Sequence, residues 1–161
     1  MRLSIIKTFK KRSNNGFTLI EILLAIGIAA FTICAILATY ISCFALIETA
    51  KNINIATNAA SGLMEDIRAT PFNGVNSFNG VNFIVNNIPA SRGVVSIADV
   101  TPAGWPSATF LEATISVCWN QRNRIMGEDA NLNGALDAGE DANGNGTIDS
   151  PVQLTTRIAQ R

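Results

Sequence analysis

A long uncharged segment near the amino terminus constrains this chain most. Residues 22–47 contain no Asp, Glu, Lys or Arg and consist mainly of Ile, Leu, Ala and other apolar residues. As an α-helix, the segment would be roughly 39 Å long at 1.5 Å per residue, whereas the hydrocarbon core of a bilayer is about 30 Å thick. The sequence therefore predicts one membrane-spanning helix.

The distribution of charge predicts the orientation of that helix. The chain has 12 Lys and Arg and 12 Asp and Glu, but the first acid is Glu21. Basic residues ahead of the apolar segment favour a cytoplasmic amino terminus, with the rest of the chain on the other side of the membrane. These residues are Arg2, Lys7, Lys10, Lys11 and Arg12.

The composition argues against an enzyme. The chain has no His, which excludes Ser-His-Asp and Cys-His catalysis and removes the commonest zinc ligand. Cys34 and Cys43 would lie about 13.5 Å apart along a helix and on roughly opposite faces, so they cannot form a disulfide with each other. Cys118 is then unpaired and is expected to be a small buried residue.

A turn-like Ser-Asn-Asn-Gly stretch at residues 13–16 precedes the apolar segment. A secretory signal would have its cleavage site after the apolar segment, so processing at Gly16 would leave the helix attached. The order of a basic pair, Gly16, Phe17, Thr-Leu-Ile and Glu21, followed by the apolar helix, resembles the leader and cleavage site of type IV pilins and type II secretion pseudopilins.

The resemblance implies a processed subunit of a filament. A prepilin peptidase would cleave after Gly16 and remove the leader at residues 1–16, and Phe17 would become the methylated amino-terminal residue. Residues 17–48 would first anchor the chain in the bacterial inner membrane, with a cytoplasmic amino terminus, and later form the core of a pilus or pseudopilus. Residues 49–161 would form a periplasmic globular domain, and the partners would be other pilin or pseudopilin subunits.

Glu21 is of interest on physical grounds as well. A charged carboxylate at the centre of a bilayer costs roughly 2.5 to 3.5 kcal/mol on insertion scales and usually has a partner. Cleavage after Gly16 would create an amine on Phe17, and a neighbouring helix shifted along its axis could bring that amine to Glu21. Alternatively, Glu21 lies near the membrane interface, where the amino end of the helix dipole favours an acid.

The helix is predicted to continue beyond the membrane and to become amphipathic. Pro71 disfavours a helical Thr70, so one helix is expected from Phe17 to about Ala69. Its apolar positions recur every three or four residues and are more readily explained as a core face under a sheet than as a groove for a partner. They are Ala50, Ile53, Ala56, Ala60, Leu63, Met64 and Ile67.

The remaining sequence predicts a small antiparallel sheet. Segments rich in Val, Ile, Thr and aromatic residues occur at about residues 82–88, 93–100, 110–120 and 152–159. The fold class is therefore α+β, with a long amino-terminal helix packed on the sheet, as in pilins. The last two segments, pairing as a hairpin, look like the terminal strand pair of minor pilins and favour a minor component.

That hairpin would enclose an acidic insertion at about residues 125–151. It carries six carboxylates and no Lys or Arg. Twelve residues from Asp129 match the calcium-binding loop of EF-hands, in which oxygens at alternate positions converge on the ion and a glycine at the sixth, here Gly134, permits the turn. The predicted ligands are Asp129, Asn131, Asn133, the carbonyl of Ala135, Asp137 and Glu140.

A second copy of the pattern follows at once, with Asp141, Asn143, Asn145, Thr147 and Asp149 as predicted ligands. Its twelfth position is Val152, so this loop should bind more weakly, borrow Glu140 or water, or brace the first. Without intervening helices, the insertion resembles the calcium loops of dockerin-like or thrombospondin-type repeats. We expect calcium in at least one site, with affinity on the order of 0.1 to 1 mM; the alternative is a flexible Asn- and Gly-rich loop.

The sequence thus predicts a non-enzymatic structural subunit of a type IV pilus or type II secretion filament. A second hypothesis is a DNA- or surface-binding minor pilin in which Arg122, Arg124 and Arg157 gather at one end of the hairpin. The acidic insertion nearby argues against nucleic acid as a partner. A third is a membrane-anchored periplasmic calcium-binding protein that does not polymerise.

Overall fold

The computed structural model describes residues 16–105 and 108–160. The chain divides into two compact units, the first ending at Phe44 and the second beginning at Ala45. The predicted leader, apart from Gly16, lies outside the described residues.

Helix α1 spans Leu19–Ala69. Its apolar part, up to Phe44, lies in the first unit. The helix begins two residues later than predicted because Thr18 caps it: the backbone N–H of Glu21 lies 3.3 Å from Thr18 Oγ1, and that of Ile22 lies 3.2 Å from the Thr18 carbonyl oxygen. The helix is long and apolar enough to cross a membrane, and its most apolar window is not buried. By length and composition, it fits either a membrane anchor or a signal sequence.

Helix α1 ends at Ala69, two residues before Pro71, as predicted. A short helix α2 at Phe72–Val75 and a 3₁₀ turn at Asn76–Phe78 follow directly. Val75 is fully buried, so this short helical segment contributes to the core of the second unit.

The second unit contains a five-stranded antiparallel sheet. The strands are β1 at Asn82–Phe83, β2 at Ser91–Asp99, β3 at Phe110–Gln121, β4 at Arg124–Met126 and β5 at Val152–Ala159. They follow the order β1-β2-β3-β4, and β5 also pairs with β3, so that Val117 lies opposite Val152 and Phe110 opposite Ala159. The α+β layout and the hairpin of the last two predicted strands are confirmed.

The prediction of a strand over residues 82–88 is wrong beyond Phe83. The backbone N–H of Val85 donates to the side-chain hydroxyl of Ser91, 3.1 Å away, instead of to a backbone carbonyl of a neighbouring strand. Asn87 then adopts a left-handed conformation with φ of 68°, which ends any extended segment.

The core of the second unit lies between the sheet and the last part of α1. The buried row on the helix has steps of four residues and a last step of three; it includes a polar residue and omits the predicted Ala50, which is exposed. Ile53 and Leu63 are partly buried and pack against this core. The buried row consists of Asn52, Ala56, Ala60, Met64 and Ile67.

Both faces of the central strand β3 are buried. Ile115, Val117 and Trp119 face the core, as the alternating pattern predicts. Ser116 and Cys118 on the opposite face are also buried, with exposures of 3% and 1%. Gly127 and the Asp149 carbonyl lie against Cys118, and Gln153 of β5 donates to Ser116, contacts that a period of two cannot reveal.

Polar side chains connect the sheet to the helix near residue 48. Trp119 Nε1 donates to Gln121 Oε1 at 3.2 Å, and Gln121 Nε2 donates to Thr49 Oγ1 at 2.8 Å. Arg122 forms an ion pair with Glu48 at 2.9 Å. The partly exposed ion pair contributes little, whereas the buried Trp119–Gln121–Thr49 chain satisfies groups that would be costly to leave unpaired.

We predict that Trp119→Ala destabilises the second unit by about 3 to 5 kcal/mol, because it removes a fully buried aromatic side chain and leaves a cavity. Trp105 is the matched control, since it is 59% exposed, and Trp105→Ala should cost roughly 1 kcal/mol or less. Differential scanning calorimetry of the full chain in detergent micelles measures both. Equal losses would contradict the assignment of Trp119 to the core.

Candidate calcium loops

The acidic insertion lies between β4 and β5, at residues 127–151. The predicted insertion began at residue 125, but Ile125 and Met126 belong to β4, which pairs with Asn120 and Trp119 of β3. The strand pairs on either side therefore hold both ends of the insertion.

The first loop is organised around the buried carboxylate of Asp129, which is 1% exposed. Its two oxygens accept the backbone N–H groups of Asn133, at 3.0 Å, and Gly134, at 2.8 Å. Hydrogen bonds to charged acceptors are the stronger kind, and they turn the chain back over Asp129. Gly134 has φ of 79°, the conformation predicted for the glycine at the sixth position.

The other predicted ligands of the first loop converge on Asp137. The amide nitrogens of Asn131 and Asn133 donate to Asp137 Oδ2 at 2.7 and 2.9 Å. Glu140 accepts the backbone N–H of Ala130 at 2.9 Å and that of Asp137 at 3.1 Å. The structure thus brings together the side chains that the motif selects.

Ala135 was predicted to contribute its carbonyl oxygen. Its backbone N–H donates to Asn133 Oδ1 at 2.6 Å, which fixes the turn at the seventh position of the loop. The chain at this point also contacts the sheet: Arg92 Nε of β2 donates to the Leu132 carbonyl at 2.9 Å, and Asn82 of β1 lies against Gly134. The first loop is therefore held to the sheet by its backbone.

The second loop repeats the same contacts. Asp141 accepts the backbone N–H groups of Asn145, at 3.1 Å, and Gly146, at 2.9 Å. The amide nitrogens of Asn143 and Asn145 donate to Asp149 Oδ2 at 2.5 and 3.1 Å. Thr147 completes the correspondence, because its backbone N–H donates to Asn145 Oδ1 at 2.8 Å, as Ala135 does in the first loop.

Sequence reasoning missed Glu128. Its carboxylate accepts the backbone N–H of Ala142 at 3.2 Å and that of Asp149 at 3.1 Å. Glu140 was one of the ligands that the second loop was expected to borrow, but both of its oxygens accept N–H groups of the first loop. The signal that could have identified Glu128 is the tetrapeptide Glu-Asp-Ala-Asn, which begins at residue 128 and again at residue 140.

The insertion also closes over β3. Asp149 accepts the N–H of Glu128 with its carbonyl at 2.8 Å, and the Ser150 hydroxyl donates to the Val117 carbonyl. Cys118 lies beneath this contact, where burial raises the pKa of its thiol. The thiol is therefore neutral at physiological pH and behaves as a small packing group, as predicted.

The residues present fit calcium by the chemistry of their donors. Carboxylate, amide and backbone oxygens are hard ligands of the type that calcium selects. Over residues 16–105 and 108–160, however, three or more His, Cys, Asp or Glu side chains do not gather into a group that could hold a metal ion. For calcium to bind, Asp137 and Asp149 would have to exchange their amide N–H partners for the ion.

The arginines of the DNA-binding hypothesis do not gather at one end of the hairpin. Arg157 lies opposite Glu112 near the start of β3 and forms an ion pair with it at 2.7 Å. Arg122 follows the last residue of β3 and pairs with Glu48. Because the two lie at opposite ends of a long strand, the expected basic patch is not formed, and Arg124 alone does not make one.

The residues predicted to act in processing and assembly belong to the first unit. Gly16, Phe17 and Glu21 are exposed at the beginning of α1. Because Glu21 is exposed, its carboxylate is accessible to another molecule.

Comparison with known proteins does not identify a family, since no family model, curated protein or solved structure matches this chain. The class defined by the fold is an α+β protein with a long apolar amino-terminal helix and a small antiparallel sheet. Any function must be argued from its own residues.

The two sixth-position glycines provide a test of loop structure. Gly134→Ala should destabilise the insertion slightly more than Gly146→Ala, because both residues have positive φ but only a Cβ on Gly134 would displace the exposed side chain of Asn82. The left-handed conformation costs roughly 1 to 2 kcal/mol in either variant. Melting temperatures measure the difference, and Asn82→Ala should restore part of the loss in Gly134→Ala. Equal effects would contradict the contact between the loop and β1.

Proposed function

We propose that this protein is a non-enzymatic structural subunit of a type IV pilus or type II secretion filament, anchored in the inner membrane before assembly and stabilised by calcium. The observation that carries the proposal is the exposed apolar surface of the first part of α1. Its large hydrophobic side chains are at least half exposed, among them Leu19, Ile28, Phe31 and Leu46. Such a surface needs lipid or other helices to cover it.

The placement of Glu21 supports assembly over simple anchoring. Glu21 is the one acid in the first 47 residues, and it lies four residues after Phe17, which would carry the new amine. In a bundle of parallel helices, an axial shift of about one turn, roughly 5.4 Å, would bring the amine of one subunit to Glu21 of another. Pairing offsets part of the cost of a lone charge in an apolar environment.

The position and charge of the insertion support a structural role for a bound calcium ion. The insertion lies against Cys118 on the face of β3 opposite the core and is joined to the sheet through Arg92, so an ion that holds the loop would also hold this cover in place. Six carboxylates without a Lys or Arg among them would otherwise repel one another. This role suits a protein domain outside the cytoplasm, where weak calcium sites are common.

Assembly is tested through the mature amino terminus and Glu21 together. Mass spectrometry of the exported chain should give an amino terminus at methylated Phe17, and Glu21→Gln should reduce the protein in sheared filaments by roughly tenfold or more, because it removes the charge that pairs with the amine. Glu65→Gln, an exposed acid later on the same helix, is the control and should assemble normally.

An exported chain that still begins at Met1 would contradict processing. Correct processing with normal assembly of Glu21→Gln would contradict the pairing and favour an anchored protein that does not polymerise.

The calcium proposal is tested on the full chain in detergent micelles. At 10 to 100 times the dissociation constant, calcium should stabilise the second unit by about 1.4 to 2.7 kcal/mol relative to chelator. Isothermal titration calorimetry should detect binding on the order of 0.1 to 1 mM. Magnesium at the same concentration is the control and should stabilise less, since it requires near-ideal octahedral ligands. Neither heat nor a melting shift with calcium would refute this part of the proposal.

A further inference from the structure

The insertion is a tandem repeat of twelve residues. Residues 128–139 read EDANLNGALDAG, and residues 140–151 read EDANGNGTIDSP. Each repeat begins with a glutamate directly before the aspartate that starts a loop, so Glu128 precedes Asp129 and Glu140 precedes Asp141. This division differs by one residue from the calcium-loop pattern, which places Glu140 at the end of the first loop.

The two glutamates make equivalent contacts, each with the loop of the other repeat. Glu140 accepts the backbone N–H groups at the second and ninth positions of the first loop, Ala130 and Asp137. Glu128 accepts those at the second and ninth positions of the second loop, Ala142 and Asp149. Each repeat therefore supplies its glutamate to the loop of the other repeat, an arrangement called the glutamate exchange below.

We propose that the two loops bind two calcium ions as one cooperative unit, with Glu128 serving as the twelfth-position carboxylate that the second loop lacks in sequence. This inference rests on the proposed calcium function of the insertion. It replaces the expectation of a strong first site and a weak second one.

The charge of the ligands supports two comparable sites. With Glu128 in the second loop, each loop has three carboxylates: Asp129, Asp137 and Glu140 in the first, and Asp141, Asp149 and Glu128 in the second. Because affinity in such loops follows ligand charge and rigidity, neither site should be much weaker than the other.

The exchange also explains why the sites should be coupled. An ion that fixes Glu140 in the first loop restrains Asp141, the next residue, which begins the second loop. An ion in the second loop fixes Glu128 and thereby restrains Asp129. Binding at each site thus orders a ligand of the other, and coupling of this kind changes affinity by roughly fivefold to 150-fold.

Equilibrium dialysis of the full chain in detergent with calcium as the only added metal tests the inference. The wild type should bind two ions with a titration steeper than that of two independent sites. Glu128→Gln should weaken the second site by about tenfold or more, so that one ion remains bound at concentrations that saturate the wild type. Asp141→Asn should give the same loss, and combining the two should add little to it.

Glu65→Gln is the matched control, because it removes an exposed acid outside the insertion and should leave both sites unchanged. If a variant does not fold, circular dichroism in chelator reveals it, and the other variant decides the result.

The outcomes separate this inference from the calcium function on which it rests. If the wild type binds calcium but takes up one ion, or if Glu128→Gln behaves like Glu65→Gln, the exchange is wrong and the calcium function stands. If the wild type binds no calcium, the calcium function itself fails.

Discussion

A single helix that has to satisfy two environments is the constraint on which the rest of this structure depends. In its first part, α1 exposes apolar side chains on every side, so it is stable only where lipid or other helices surround it. From Ala45 onward the same helix belongs to the second unit, and it buries one row of residues spaced three or four apart. Ala56, Ala60 and Trp119 are all fully buried in the core that this part of the helix shares with the sheet.

The insertion extends this arrangement to the other face of the sheet. A sheet packed on one helix normally leaves its second face in water, but Ser116 and Cys118 of β3 are buried. Gly127 approaches Cys118 so closely that a Cβ would collide with its sulfur, and Gln153 of β5 donates to the Ser116 hydroxyl. The central strand is therefore protected on both sides, and its stability depends partly on a segment without regular secondary structure.

Local chemistry predicted much of the fold, and the failures arose where distant residues decide the outcome. Pro71 fixed the end of α1, and the β-branched residues of β5 gave that strand its observed bounds. The end of β1 could not be foreseen, because Ser91 takes the backbone hydrogen bond of Val85. Glu128 was missed because the calcium-loop pattern places its last ligand twelve residues after the starting aspartate. Glu128 instead precedes the first loop in the sequence and contacts the second loop.

The contacts of the two loops bear on how an ion would bind. The aspartates that begin the loops, Asp129 and Asp141, are already held by backbone N–H groups, so the turns exist before any ion arrives. Preorganisation of this kind reduces the ordering cost of binding. The amide groups of Asn133 and Asn145 donate to Asp137 and Asp149, and exchanging these hydrogen bonds for an ion would have a cost of its own. Under the proposed calcium function, binding strength would reflect a balance between turns that are already formed and side-chain contacts that must be replaced.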